Sequence, residues 1–218
     1  SFGQPTNGQL AAHFQKVGQD QWNEIRTIQI DGKWVDEDYH AYSMKLTAKA
    51  PDKIRLEGMY NGKNYVECFT GFYGWLIAPW KEKYEVQRMK DTEELMIRNV
   101  FSFGSPLYRV RDHLEFTGLM DMEGVLYNTF TLTEGDIQKV FYLDRHDHHL
   151  YYERIASKFG TEEVTLLKIY EKYKSYGPLS LPTAVRFKGL LMEREFVFDE
   201  AVVGMGANNS LFEIPKGQ

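Results

Sequence analysis

Hydrophobic positions in this chain recur with two different periods. Between Gly8 and Gly18, Leu10, Phe14 and Val17 fall at i, i+4 and i+7, one helical stripe. Gly18 supplies the stop signal. A segment this short does not stand alone, so it reads as an amphipathic lid or brace on a larger structure. From Ile25 the period becomes two: Ile28 and Ile30 alternate with Gln29 and Asp31, and Asp31-Gly32 reads as a turn. Residues 40–48 set Tyr42, Met44 and Leu46 against Ser43, Lys45 and Thr47, and Ala50-Pro51-Asp52 ends that run. Residues 53–60 set Ile54, Leu56 and Gly58 against Arg55, Glu57 and Met59, and Asn61-Gly62 is the strongest hairpin signal in the chain. Tyr65 to Phe69 and Trp75-Leu76-Ile77 continue the series. Strands so short and so regularly spaced predict an antiparallel meander, with little room for crossover helices.

The stretch 89–104 breaks the alternation and predicts a helical insert, with Met96, Val100 and Phe103 turned inward; Pro106-Leu107-Tyr108 then turns into another short helix. Strands return at 113–119, 125–132, 138–144, 149–157, 164–173, 184–190 and 192–199. Glu134-Gly135-Asp136 and Asp144-Arg145-His146-Asp147 are turns. Gly177-Pro178-Leu179-Ser180-Leu181-Pro182 reads as a rigid loop, and Leu211-Phe212-Glu213-Ile214-Pro215 as a terminal segment packing back on the fold. No linker-like Pro/Gly/Ser run interrupts the chain, so residues 1–218 read as a single domain, mainly β with helices.

Composition narrows the function classes. The 15% of aromatic residues suits a sheet and equally an aromatic-lined cavity. At a formal net charge of -5, with acidic and basic residues interspersed, no Lys/Arg cluster has the density of a phosphate-binding stripe, so nucleic acid is not expected as a partner. Cys68 is the one cysteine, which excludes an intrachain disulfide and a metal site of several thiolates. The chain opens Ser1-Phe2-Gly3-Gln4 without initiator Met, signal peptide or lipobox cysteine, so a removed leader or a trimmed terminus is expected. No stretch approaches the ~20 apolar residues of a membrane span.

Four groups of residues, in this order, resemble the outer-membrane lipoprotein-sorting proteins of the LolA/LolB type, in the divergent form of Bacteroidetes periplasmic or surface proteins. They are the N-terminal helix leading into Ile25-Arg26-Thr27-Ile28-Gln29-Ile30-Asp31-Gly32, and Ala48-Lys49-Ala50-Pro51-Asp52-Lys53-Ile54-Arg55-Leu56-Glu57. Then come Thr70-Gly71-Phe72-Tyr73-Gly74-Trp75-Leu76-Ile77-Ala78-Pro79, with Thr70 where an acidic residue is common, and a last group spread over the second half. That group joins Lys139-Val140-Phe141-Tyr142-Leu143-Asp144, Lys172-Tyr173-Lys174, Gly177, Leu181-Pro182 and Leu211-Phe212-Glu213-Ile214-Pro215. The resemblance implies a half-open antiparallel barrel of about eleven strands wrapped over short helices, with a cavity for acyl chains, lipids or lipoproteins. It implies a location in the periplasm, or at the outer membrane if the leader carried a lipidated cysteine, and a partner in the outer membrane or a transporter. It makes Arg55 the candidate, by position, for a cargo-gripping arginine, and Phe72-Tyr73 the candidate for an exposed apolar loop.

Alternation in a curved sheet puts a row of side chains on one face. The candidate ligand-binding residues are therefore Tyr42, Met44, Leu56, Trp75, Phe116, Leu126, Phe130, Phe141, Leu167 and Phe187, with Arg55. The same residues would equally make an ordinary core packed against the helices. His146, Asp147, His148 and His149 could supply metal ligands, yet they read as a hairpin turn, and no metal or cofactor is expected. His13 reads as a packing or surface histidine, and His113 as a strand-boundary residue. Asp121, Glu123, Glu134 and Asp136 lie in turns where acidic residues are common, so they do not read as a glycosidase pair. No Gly-x-Ser-x-Gly elbow, P-loop or dinucleotide fingerprint occurs, and Cys68 reads as a small buried hydrophobe. The reading is a monomeric, non-enzymatic binder of an apolar ligand. Its alternative is a protein-interaction module on the same scaffold with a filled interior; a hydrolase of unrecognised type would need a converging polar site.

Overall fold

A computed structural model describes residues 6–189 and 192–216. The opening Ser1-Phe2-Gly3-Gln4 and the end of the strand predicted at 184–190 fall outside them. The described residues group into two compact units, one from 6–24 and 104–189, the other from 25–103 and 192–216. Both are dominated by antiparallel strands joined by tight turns, with a few short helices.

The first unit opens with α1 (Thr6–Val17) and α2 (Gln19–Glu24). The predicted stop at Gly18 is real: its φ is +73°, and an added Cβ would stand 2.1 Å from the Pro178 carbonyl oxygen. The chain resumes at once as α2, which the apolar spacing did not announce. The strands β7 (Glu115–Met122), β8 (Val125–Glu134), β9 (Ile137–Asp144), β10 (Leu150–Phe159), β11 (Glu162–Tyr170) and β14 (Ala184–Lys188) pair in that order. The stretch 177–182, expected as a rigid loop, contributes β13 (Leu179–Pro182), which pairs with β12 (Tyr173–Tyr176) in a two-stranded ribbon. Ribbon pairing satisfies backbone groups that a loop would leave to water. Cross-strand partners define one row: Phe116, Phe130, Phe141, Glu153, Lys168 and Phe187.

The second unit holds β1 (Thr27–Val35), β2 (Ala41–Lys49), β3 (Lys53–Tyr60), β4 (Lys63–Phe69), β5 (Gly74–Ala78), β6 (Lys83–Arg88) and β15 (Arg194–Val203), with α3 (Asp91–Ile97). The order runs β6-β5-β4-β3-β2-β1-β15. The Asn61-Gly62 turn has both residues at positive φ, +47° and +79°, as a tight hairpin of this type requires. Asp31-Gly32 is not a turn. It lies inside β1, where the register against β15 slips by one residue, and a Cβ on Gly32 would meet the Val197 carbonyl oxygen at 1.9 Å. Glycine here permits close approach at a bulge. The chain reverses at Asp36–His40 instead, where the Asp36 carboxylate accepts from the backbone N–H of Asp38 and of His40. The helical insert is confined to α3, with Met96 and the following Val100 buried as expected. Beyond it, 106–113 forms turns and a single 3-10 turn at Arg111–His113.

Fifteen strands are therefore described, not about eleven. They form open ladders, since β6 and β7 each pair along one side among the described residues.

In the second unit the row Ile30, Leu46, Leu56, Glu67 and Leu76 is buried throughout. A carboxylate among aliphatic side chains is tolerable only if its charge is answered. Arg194 answers it with two parallel hydrogen bonds of 2.8 Å, one to each oxygen of Glu67. Its guanidinium also lies 4.2 Å from the Trp34 ring, 4.8 Å from Phe196 and 5.0 Å from Trp80. Removing one member strands the other. Arg194→Met is expected to destabilise the protein by about 3–5 kcal/mol, and Glu67→Leu added to it to recover most of that loss, both read by urea unfolding.

Candidate functional site

The expected ligand residues do not share one face. Cross-strand pairing puts Leu56 opposite Leu46 and Glu67, within the filled row just described, and Tyr42 against Trp34, 4.5 Å between ring centroids. Tyr42 also donates to Asp36 at 3.1 Å. Arg55, one residue before Leu56, necessarily points the other way, in the row Thr47, Arg55, Cys68 and Trp75. There the C-terminal segment closes over the sheet. Trp75 Nε1 donates to the Phe212 carbonyl at 2.9 Å, Cys68 Sγ to the same oxygen at 3.3 Å, and Arg55 to the Leu211 carbonyl at 3.0 Å. Trp75 is thus a core residue under residues 207–214, and Arg55 an anchor for that segment and a partner of Glu57. Thr70, in place of the acidic residue, accepts the backbone N–H groups of Phe72 and Tyr73 and so shapes the turn itself. Phe72 at its tip is 89% exposed.

In the first unit, Phe116, Phe130, Phe141 and Phe187 do fall in one row. Leu167 belongs to the opposite face, because its neighbours Leu166 and Lys168 are the buried ones. Leu126 shares the side of Phe130 but lies near the hairpin end and is exposed. At the β7 end of the row, a groove of about 430 Å³ is lined by Gln9, Phe116, Gly118, Leu119, Asn128 and Arg145. Phe116 forms one wall and packs edge-on against buried Phe130, 5.6 Å between centroids. Gly118, at φ +124° beside a register slip, leaves open the space a side chain would fill. A larger depression of about 550 Å³ in the second unit is lined by residues that include Asp31, Met44, Lys45, Arg55, Glu57 and Tyr65. Its charged rim suits an apolar chain less well than the walls beside Phe116.

Two polar arrangements escape a reading of spacing alone. The first is a serine–histidine contact. His13 Nδ1 lies 2.7 Å from the His148 carbonyl and must donate to it, so Nε2 accepts from Ser105 Oγ at 2.6 Å. This has the form of a nucleophile and its base, but His13 and Ser105 are 1% and 5% exposed and neither lines the groove. The contact ties α1 to two turns. Burial drives the His13 imidazole down to about 4, against the opposing effect of its bond to the His148 carbonyl. The second is Glu153 and Lys168, both buried, in the middle of the phenylalanine row. Tyr170 donates to Glu153 at 2.8 Å, and Lys139 Nζ stands 3.3 Å from the other carboxylate oxygen.

The 146–149 histidines form the expected turn, with His149 stacked on Tyr173 at 4.0 Å. Among the described residues, the one group with metal-ligand spacing is Asp36, Asp38 and His40. These are held by the hydrogen bonds of their own turn.

With the strands, the groove and the helices placed, the class is a mainly antiparallel β scaffold with short helices. No family model matches the sequence, and no curated protein matches it. Solved structures do. A LolA superfamily protein of Nitrosomonas europaea matches with a TM-score of 0.60 and 12% identity, over 94% of this chain and 97% of that one. A DUF1329 family protein of Desulfovibrio piger matches with a TM-score of 0.59 and 13% identity, over 94% and 96%. These likenesses bear out the coarse fold, a mostly antiparallel sheet with a few short helices; neither supports the narrower Bacteroidetes branch.

His13 makes stability depend on pH. Its folded value lies below its unfolded one, so the unfolded chain takes up the proton first on acidification. The contribution is full above about pH 6.5 and is lost as pH falls towards 4. A loss of roughly 3 kcal/mol over that window is expected in urea midpoints, with a shallower dependence in His13→Gln.

Proposed function

We propose that this protein is a non-enzymatic binding protein that takes the apolar part of a lipid, acyl chain or lipoprotein into the groove beside Phe116. The observation that carries the reading is the groove itself, walled by Phe116 and Leu119 and backed by Phe130. Its volume of about 430 Å³ lies within the span of small-molecule pockets. Leu119 is 55% exposed at its edge, which leaves a chain a way in. Each methylene transferred from water contributes ~0.8 kcal/mol, so a chain of several carbons is held without any covalent step. The fold shared with a LolA superfamily protein and the cargo implied by the motif resemblance favour the same ligand class. They also favour an extracytoplasmic setting: the periplasm, or the outer membrane for a lipid-anchored form. A monomer that hands its ligand to an outer-membrane or transporter partner completes the reading.

A second reading has one observation in its favour. Leu119, Met120, Val125 and Leu126 are all exposed at the end of the β7–β8 hairpin, as a protein-docking surface would be. The two readings separate on a single strand, because Leu119 lines the groove and Met120 projects to the other side. Leu119→Glu is expected to weaken a saturable acyl-probe signal by about tenfold or more, and Met120→Glu to leave it unchanged. Equal effects, or no saturable binding by the folded protein, would favour docking of a protein partner instead.

A further inference from the structure

Phe116 and Leu119 make the walls of the groove apolar, yet two further residues that line it are side-chain amides. Gln9 comes from near the start of α1 and Asn128 from β8. Asn128 is only 2% exposed. It lies two residues from Phe130 and so shares its face. Its cross-strand partners there are Leu119 on β7 and Leu143 on β9, whose side chains offer no hydrogen bond. Asn128 Oδ1 and Gln9 Oε1 are both buried, and among the described residues neither accepts a hydrogen bond. A buried amide oxygen without a donor is unfavourable, and native proteins rarely keep one. A leucine at 128 would pack with Leu119 and Leu143 without that cost. Whatever fills the groove therefore has to supply the donors.

We propose that these two oxygens select the head of the ligand, a long-chain amphiphile whose uncharged head donates hydrogen bonds through a hydroxyl or an amide N–H. This rests on the apolar-ligand reading above and adds the chemistry of the head. An ester head only accepts, so it would leave both oxygens unanswered. A carboxylate would set a negative charge beside them. The way to Asn128 runs past Leu119, which stands directly across the ladder from it. Leu119 is 55% exposed, so its side chain is free to turn outward and uncover the amide. Next to it, the open space at Gly118 gives the head room. Arg145, the charged residue of the lining, is exposed, and marks where an anionic head would sit instead.

The test is displacement of a fluorescent acyl probe from the full chain by dodecanol, dodecanamide, methyl dodecanoate and dodecanoate at pH 7. The alcohol and the amide are expected to compete about tenfold better than the methyl ester, although the ester is the more apolar compound. The stronger of the two identifies the donor. Asn128→Leu is expected to bring both down to the level of the ester, and Gln9→Leu to reduce their lead. Each variant replaces an unanswered polar group by an apolar one of similar size, which leaves the fold intact or more stable; thermal unfolding checks this. Alcohol, amide and ester competing equally in the wild type would overturn the proposal but not the apolar-ligand reading. So would a lead that survives in both variants. Dodecanoate competing best, with its lead lost in Arg145→Gln, would also overturn it and put an anionic head at the groove mouth. If no compound displaces the probe, the apolar-ligand reading falls and this one with it.

Discussion

Each of the two units is organised around a carboxylate that its own strand pairing forces among apolar side chains. Glu67 stands opposite Leu56 and Leu76, and Glu153 opposite Phe141. Ladder pairing leaves neither of them a choice of face, because the side chains of a strand alternate and their neighbours in the row must be buried. An ionised group so placed has to find its counter-charge within the protein.

The two solutions differ. Around Glu67 the answer is complete: one guanidinium, two hydrogen bonds and a surround of Trp34, Trp80 and Phe196. Arginine suits the task because its planar fork matches the carboxylate and its flat face stacks on rings. Around Glu153 a tyrosine donates to one oxygen, a lysine ammonium stands at ion-pair distance from the other, and a second lysine faces ring surfaces. The first arrangement is closed and explains why the neighbouring row is a filled core. The second is less completely paired: Glu153 faces both Lys139 and its cross-strand neighbour Lys168, and Lys168 lies over the rings of Tyr170 and Phe187.

The same alternation explains how far the site could be read in advance. The strand runs containing Met44 and Leu56 were legible because one side of each is mostly polar and the other mostly apolar. Trp75 and Arg55 were assigned to the cavity by residue type and by position in a motif, and pairing puts them on the face covered by residues 207–214. Leu167 was misplaced for a related reason. It sits between Leu166 and Lys168, and nothing in the local pattern says that the lysine is the buried neighbour. Period-two reasoning ranks an apolar residue inward and a charged one outward, so it passes over the charged residues that pairing buries.

What the sequence determined by itself was local: the meander of short antiparallel strands, the Asn61-Gly62 hairpin, the helix ending at Gly18 and the return of Phe212 onto the fold. Each depends on side chains within a few residues, or on an apolar segment with no other place to go. Tertiary structure decided whatever depends on which strand stands beside which. It made Asp31-Gly32 a bulge, since only the approach of Val197 demands a glycine there. It made residues 179–182 a strand by giving them β12 as partner. It also brought Glu153 and Lys168 face to face with Lys139 and Tyr170, four residues whose charges and hydroxyl carry no common signal along the chain.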